Sequence, residues 1–336
     1  MSSILEIASL CRVSPTTVSR ALNPALSHKV KPSTLERILR QCKEQEYYGK
    51  LAARSLASGK TYCIGMVLNS VEHDFASPYF ALILKGVIES LAKINYNLKI
   101  IPYPCRTDSE MDIWIRKAVM GNEVDGLIIS TSLYSDELLS SISNSQMPAV
   151  GISGALSPLL SLPFSTVGVN NRIAFSALCD HLQAAGYRVL AAVNNSAQDP
   201  RLLILREEAD KRGIEVHSFI FPELSVHCSQ QIFQMYQLVR SHWAELSRFS
   251  CWHFQIDLWA IGGMQAKKEL APDRKIFISG YDNMEENPNY ATSEAELSTI
   301  EPPYRAIGET AVEMLFSQED KVERRLLNSR FILRKT

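Results

Sequence analysis

Residues 13–23 read Val13-Ser14-Pro15-Thr16-Thr17-Val18-Ser19-Arg20-Ala21-Leu22-Asn23. Ser14 suits a helix N-cap, and Pro15 suits the first helical position, where a missing N–H costs nothing. The spacing predicts a helix to about Leu22 with Val18 and Leu22 on its inner face. Thr16 and Arg20, one turn apart, lie almost opposite them. Upstream, Ile4, Ile7, Ala8 and Cys11 follow the i, i+3, i+4, i+7 pattern of an amphipathic helix, and Arg12-Val13 makes a tight break. Downstream, Leu35, Ile38, Leu39 and Cys42 mark one face of a third helix. Its start has two readings: a capping box of Ser33 with Glu36, or Lys31-Pro32.

Helix, short turn, capped helix and third helix is helix-turn-helix organisation, which places the second helix in the major groove of DNA. Its outward N-terminal residues, Pro15, Thr16 and Thr17, and then Arg20, would reach base edges; an Arg fork matches O6 and N7 of guanine together. The plain alternative is a three-helix bundle with a solvated polar face. Charge separates the two. Residues 1–60 hold ten Lys/Arg and four acids, a net of +6, whereas the other 276 hold 25 basic and 32 acidic residues, a net of −7. A basic head on an acidic body points to nucleic acid at the head alone.

The eleven residues quoted above resemble the V-S-x-x-T-V-S-R-x-L-N signature of the lactose/galactose repressor family. Tyr47-Tyr48-Gly49-Lys50-Leu51-Ala52-Ala53-Arg54-Ser55-Leu56 resembles that family's Y-x-P-N-x-x-A-R-S-L, with Gly49-Lys50 in place of Pro-Asn. The resemblance implies DNA contacts from Ser14, Pro15, Thr16, Thr17, Arg20, Asn23, Lys31, Ala53 and Leu56. Pro15, Thr16 and Arg20 take base-reading positions, Lys31 stands where a Ser usually caps and touches phosphate, and Leu56 is the hinge leucine that wedges into the minor groove. The alternative for Leu56 is packing on the body.

After Lys60 the texture changes. Short apolar runs at 62–68, 98–101, 125–129, 148–152, 166–169, 189–193, 215–220, 249–254 and 276–279 alternate with helical patterns such as 78–94, 201–212 and 257–270. Alternating β and α means parallel sheets with helices on both faces, and two such units leave a cleft at strand carboxyl ends. The expected fold is an all-α helix-turn-helix domain plus an α/β body of two parallel-sheet subdomains. The family resemblance makes that body periplasmic-binding-protein-like. The expected domains are 1–48 for the head and 49–61 for the hinge. The first subdomain is expected at 62–161 plus 291–319, and the second at 162–290 plus 320–336.

The resemblance also implies effector contacts. Asp282 lies in Ser279-Gly280-Tyr281-Asp282-Asn283. Arg201 stands twelve residues before Gly213, Tyr79 sits in Ser-Pro-Tyr-Phe, and Ser130 and Ser153 end strands that face the cleft. An Arg, an Asp and an aromatic floor suit a polyhydroxylated or heterocyclic ligand. The alternatives are an inter-subdomain ion pair or a surface pair for Arg201 and Asp282, and core packing for Tyr79. Ile256-Asp257 stands where Asn-Asp is usual.

Seven scattered cysteines without C-x-x-C make neither a disulfide framework nor a zinc site. No nucleophile, metal or cofactor motif appears, so the expectation is a non-enzyme without cofactor or metal. Met1–Leu10 is short and broken by Glu6, which is no signal peptide, and no apolar run approaches the roughly 20 residues of a membrane span. These readings predict a cytoplasmic homodimer whose partners are a near-palindromic double-stranded operator and a small-molecule, carbohydrate-like effector. A cytoplasmic sensor on the same fold with weak or altered DNA binding is the alternative.

Overall fold

The computed structural model describes residues 3–22, 26–47, 55, 58–67, 78–101, 117–130, 140, 142–153, 162–224, 230–284, 296–317 and 321–336. The chain forms two units, Met1–Tyr62 and Cys63–Thr336.

The first unit holds α1 (Ile4–Leu10), α2 (Pro15–Leu22) and α3 (Pro32–Glu44). Ser3 and Glu6 cap α1 reciprocally: the Glu6 N–H donates to Ser3 Oγ at 3.3 Å, and the Ser3 N–H donates to Glu6 Oε2 at 2.7 Å. Arg12 turns the chain with φ of 48°, and the Val13 N–H returns to the Ala8 carbonyl at 2.9 Å. Ile7, Cys11, Val18 and Ile38 are fully buried together. Full burial of an aliphatic side chain of this size contributes about 1.5–3 kcal/mol. Of the two possible starts of α3, the one at Pro32, preceded by Lys31, is formed. The inner face differs from expectation at Leu39, which is 48% exposed while Ile38 and Cys42 are buried. Consecutive helical residues point about 100° apart, and two short partner helices cover too narrow an arc for both.

The body contains two six-stranded sheets. The first runs in the order β11 (Arg324–Asn328), β5 (Ser165–Asn170), β4 (Ala149–Ser153), β3 (Gly126–Ser130), β1 (Cys63–Val67), β2 (Asn97–Ile101). The second runs β12 (Arg330–Ile332), β10 (Ser298–Glu301), β9 (Phe277–Tyr281), β8 (Cys251–Phe254), β6 (Val189–Asn194), β7 (Glu215–Ile220). Every pairing is parallel except β10 with β12. Such strands are apolar on both faces because helices cover both sides.

The subdomain boundaries fall elsewhere than expected. The segment 165–170, assigned to the second subdomain, is β5 of the first sheet, because Val167 and Val169 complete the core of Ile64, Met66 and Ile128. The segment 298–301, assigned to the first, is β10 of the second sheet, where Ile300 packs with Phe277 and Tyr281. Residues 324–328, assigned to the second, return to the first sheet beside β5. Asn328 pairs with Asn170 in one sheet and Arg330 with Glu301 in the other, so the last crossing takes the single residue Ser329.

On the first sheet, α4 (Pro78–Lys93) lies against a helix at Tyr304–Phe316. They touch through glycine: a Cβ on Gly86 would sit 2.1 Å from the Arg305 carbonyl oxygen, and one on Gly308 would sit 2.2 Å from that of Ile83. The second sheet carries α5 (Arg172–Ala184) and α6 (Pro200–Asp210) on one core. On the other core it carries α7 (Gln231–Ser241) and α8 (Asp257–Leu270). The helix at Tyr304–Phe316 is then α9.

Candidate functional site

In the head, local chemistry decides which side chains face outward. The Ser14 hydroxyl accepts the Thr17 N–H at 3.2 Å and meets the Thr17 hydroxyl at 2.9 Å. That is the expected N-cap, and it occupies Ser14 and half-buried Thr17 with each other. Val18 and Ala21 turn inward, leaving Pro15, Thr16, Ser19 and Arg20 exposed on the opposite face. Ser19 was not singled out from the sequence, although the same helical spacing places it there. Lys31 is exposed just before α3. Asn23, Ala53 and Leu56 lie outside the described residues. Nearby, the Gly59 N–H donates to the Ser55 carbonyl at 2.8 Å, and Gly59 has a φ of +69°, a conformation open to glycine.

In the body, Asp199 caps α6 and accepts the Arg201 N–H at 2.7 Å. The Arg201 guanidinium folds back on the same carboxylate, Nη2 to Oδ2 at 3.0 Å and Nε to Oδ1 at 3.3 Å, and its carbon lies 4.7 Å from the Tyr281 ring centroid. Gln255 locks the pair: its Nε2 donates to Asp199 Oδ2 at 2.8 Å, and its backbone carbonyl accepts from Arg201 Nη1 at 3.4 Å. Burial works to raise the Asp199 pKa, but the charge and hydrogen bonds of Arg201 outweigh it and hold it below the ordinary value. Burial likewise opposes the Arg201 charge, and Asp199 more than restores it, so its pKa is raised.

Asp282 follows β9 with φ of +109°, a conformation that costs an L-residue about 1–3 kcal/mol and persists only when its surroundings impose it. The surroundings are explicit. The Asp282 N–H donates to the Ile300 carbonyl at 2.8 Å, and the next turn hangs on Asp257. That fully buried carboxylate accepts the Met284 N–H at 2.7 Å and the Thr299 hydroxyl at 2.7 Å. Gly280 is required beside it, since a Cβ there would lie 2.2 Å from Asp257 Oδ1. Asp257 therefore supports the Asp282 turn.

The Asp282 carboxylate accepts the Tyr304 hydroxyl at 2.6 Å, and the Tyr304 ring stands 5.3 Å from that of Tyr79. Tyr304 opens α9 in the first subdomain's core, so this bond joins the two subdomains. Burial raises the Asp282 pKa to about 6 against the opposing pull of Arg201 and the Tyr304 hydroxyl. His253, buried and close to Arg201, is pushed down to about 3 and stays neutral, its Nδ1 paired with Ser279 Oγ at 2.9 Å.

The structure thus gathers Arg201, Asp282 and Tyr79 around Tyr281 and Tyr304. Arg201 does form an ion pair, but with Asp199 rather than Asp282. Tyr79 is half-buried against the first core and also faces this cluster. Ser130 and Ser153 end β3 and β4, and their side chains lie outside the description. Sequence reading missed Asp199, Gln255 and Tyr304. Asp199-Pro200 carries a legible N-cap signal; nothing local marks the other two. Among the described residues no group of His, Cys, Asp and Glu could hold a metal ion, and no helix is long and apolar enough to cross a membrane.

A helix-turn-helix head and a two-sheet body with a polar cluster at strand ends define a class, the ligand-responsive transcription regulators. No family model matches the chain. The HTH-type transcriptional repressor PurR of Aliivibrio salmonicida is 26% identical over 322 residues, which cover 95% of this chain and 92% of that protein. The lac repressor dimer bound to operator and the anti-inducer ONPF superposes with a TM-score of 0.74 at 20% identity, over 100% of this chain and 98% of that one. A complex of the transcriptional regulator CelR with cellobiose gives a TM-score of 0.62 at 19% identity, over 100% and 99%. Over nearly its whole length the chain is similar to DNA-binding transcription regulators of the lactose/galactose repressor family.

Proposed function

We propose that this protein is a repressor that binds a near-palindromic operator as a homodimer and is released from it, or fixed to it, by a small carbohydrate-like effector. The observation that carries the reading is the outward face of α2, where Pro15, Thr16 and Arg20 stand exposed beyond a helix held in place by its Ser14 cap. In the proposal these residues, with Ser14, Thr17 and Asn23 around them, enter the major groove of each half-site, and Lys31 meets phosphate. Ala53 and Leu56 belong to a hinge that orders on DNA and inserts in the minor groove.

The effector sits on Tyr79, Arg201 and Asp282, with Ser130 and Ser153 at the adjoining strand ends. The bond from Tyr304 to Asp282 supports this placement, because a ligand that competes for the carboxylate also acts on a contact between subdomains. A ligand shifts such an equilibrium only by its differential affinity for the two arrangements. The protein acts by binding, without catalysis, and works in the cytoplasm.

The test is a gel-shift of the purified protein on DNA upstream of its own gene, repeated over sugars, sugar derivatives and nucleobases. Specific retention is expected to fall steeply with salt, since each phosphate contact releases counterions. If the intact chain retains no DNA specifically, the reading fails and a sensor without an operator takes its place.

A further inference from the structure

The charge inventory of the cleft carries one further step, which rests on the effector reading above. Arg201 is the one cation among the described residues that acts on Asp282, Tyr281 and His253. Its guanidinium is already matched by the two oxygens of Asp199, which Gln255 holds from the other side. Asp282 adds a second carboxylate, which among the described residues accepts the hydroxyl of neutral Tyr304. Among the described residues two carboxylates act on one guanidinium here, so these three groups together are net negative before any ligand arrives.

A second observation points the same way. Beneath Arg201, a small chamber is lined by Asn194, Gln255, His253, Tyr281 and Phe175. It has room for a group of about water size. Asn194 is 2% exposed, and its Oδ1 has no hydrogen-bond partner among the described residues. A buried acceptor left unmade is costly, and a hydroxyl or amino donor on a ligand satisfies it.

We propose that the cleft selects an uncharged, donor-bearing effector and rejects phosphorylated or carboxylated ones, and that Asp199 enforces this by holding Arg201 neutralised. An anionic group at Arg201 would have to displace Asp199, a charge-assisted bond with preorganised partners, and would still face Asp282.

The test uses the full-length protein in a thermal-shift titration with D-ribose 5-phosphate and with inorganic phosphate, against sodium chloride at equal ionic strength. Because phosphate stabilises proteins generally, the readout is the saturable part that depends on Arg201. The wild type is expected to show none. Asp199→Asn is expected to gain a saturable rise of about 2 °C or more, absent from the double variant D199N/R201Q. Asp199→Ser keeps a helix N-cap and replaces the Asn variant if that one does not fold. A saturable response of the wild type that Arg201→Gln abolishes overturns the proposal. So does a D199N protein that responds no better than the double variant. Neither readout involves the operator, so failure here is distinguishable from failure of the effector reading, in which no small molecule alters operator release.

Discussion

Asp282→Asn is expected to stabilise the free protein while damaging its effector response. Asp282 titrates near 6 in the folded chain, against an ordinary value of 3.8, because burial disfavours its charged form more than Arg201 and Tyr304 favour it. The folded state therefore holds this proton more tightly than the unfolded state does. The carboxyl costs nothing below about pH 3.8, and stability is lost progressively as pH rises from there through about 6. A gap of about two pH units at 1.36 kcal/mol each comes to about 3 kcal/mol at pH 7 and above. Asparagine removes the charge, keeps an acceptor for the Tyr304 hydroxyl, and tolerates positive φ better than most residues. Urea unfolding at pH 7.5 and at pH 4 checks this. The variant is expected to be more stable by up to about 3 kcal/mol at pH 7.5 and to match the wild type within about 0.5 kcal/mol at pH 4. A variant equally or less stable at pH 7.5 would refute the desolvated carboxylate. Such a trade of stability for binding is common where a site holds a charged group for its ligand.

Arg20→Ala is expected to cost about 1–3 kcal/mol at one symmetric base pair of each half-site; competition gel-shifts against single-base operator variants check it, and a uniform loss over all sequences would make Arg20 a phosphate contact. Gly308→Ala is expected to destabilise the body by about 1–3 kcal/mol or more, since its Cβ would meet the Ile83 carbonyl at 2.2 Å; the melting temperature reads it. Leu56→Ala is expected to weaken specific binding and DNA bending while leaving the thermal stability of the free protein unchanged. A destabilised protein that still bends operator normally would place Leu56 against the body instead.

The head was legible because its determinants are local. A Ser-Pro helix start, a turn and a period of 3.6 depend on neighbours within about a turn, and α2 begins and ends where residues 13–23 place it. The same holds for most strands of the body, whose apolar runs must be buried wherever they lie. Sheet membership was not legible. The run at 165–170 reads as a strand from its pattern, but only the packing of Val167 and Val169 on the first core decides which sheet receives it. In the cleft, Arg201 and Asp282 were marked by short motifs, yet their partners were not. Asp199 sits two residues from Arg201, Gln255 comes from the end of β8, and Tyr304 from a helix of the other subdomain. A sequence records which residue types are present and how they recur along the chain. A buried charge is set by what surrounds it in three dimensions: Asp282 meets Tyr304 from the other subdomain, and the local Asp199–Arg201 pair is held by Gln255 from a distant strand end, so only the tertiary structure decided how these charges are held.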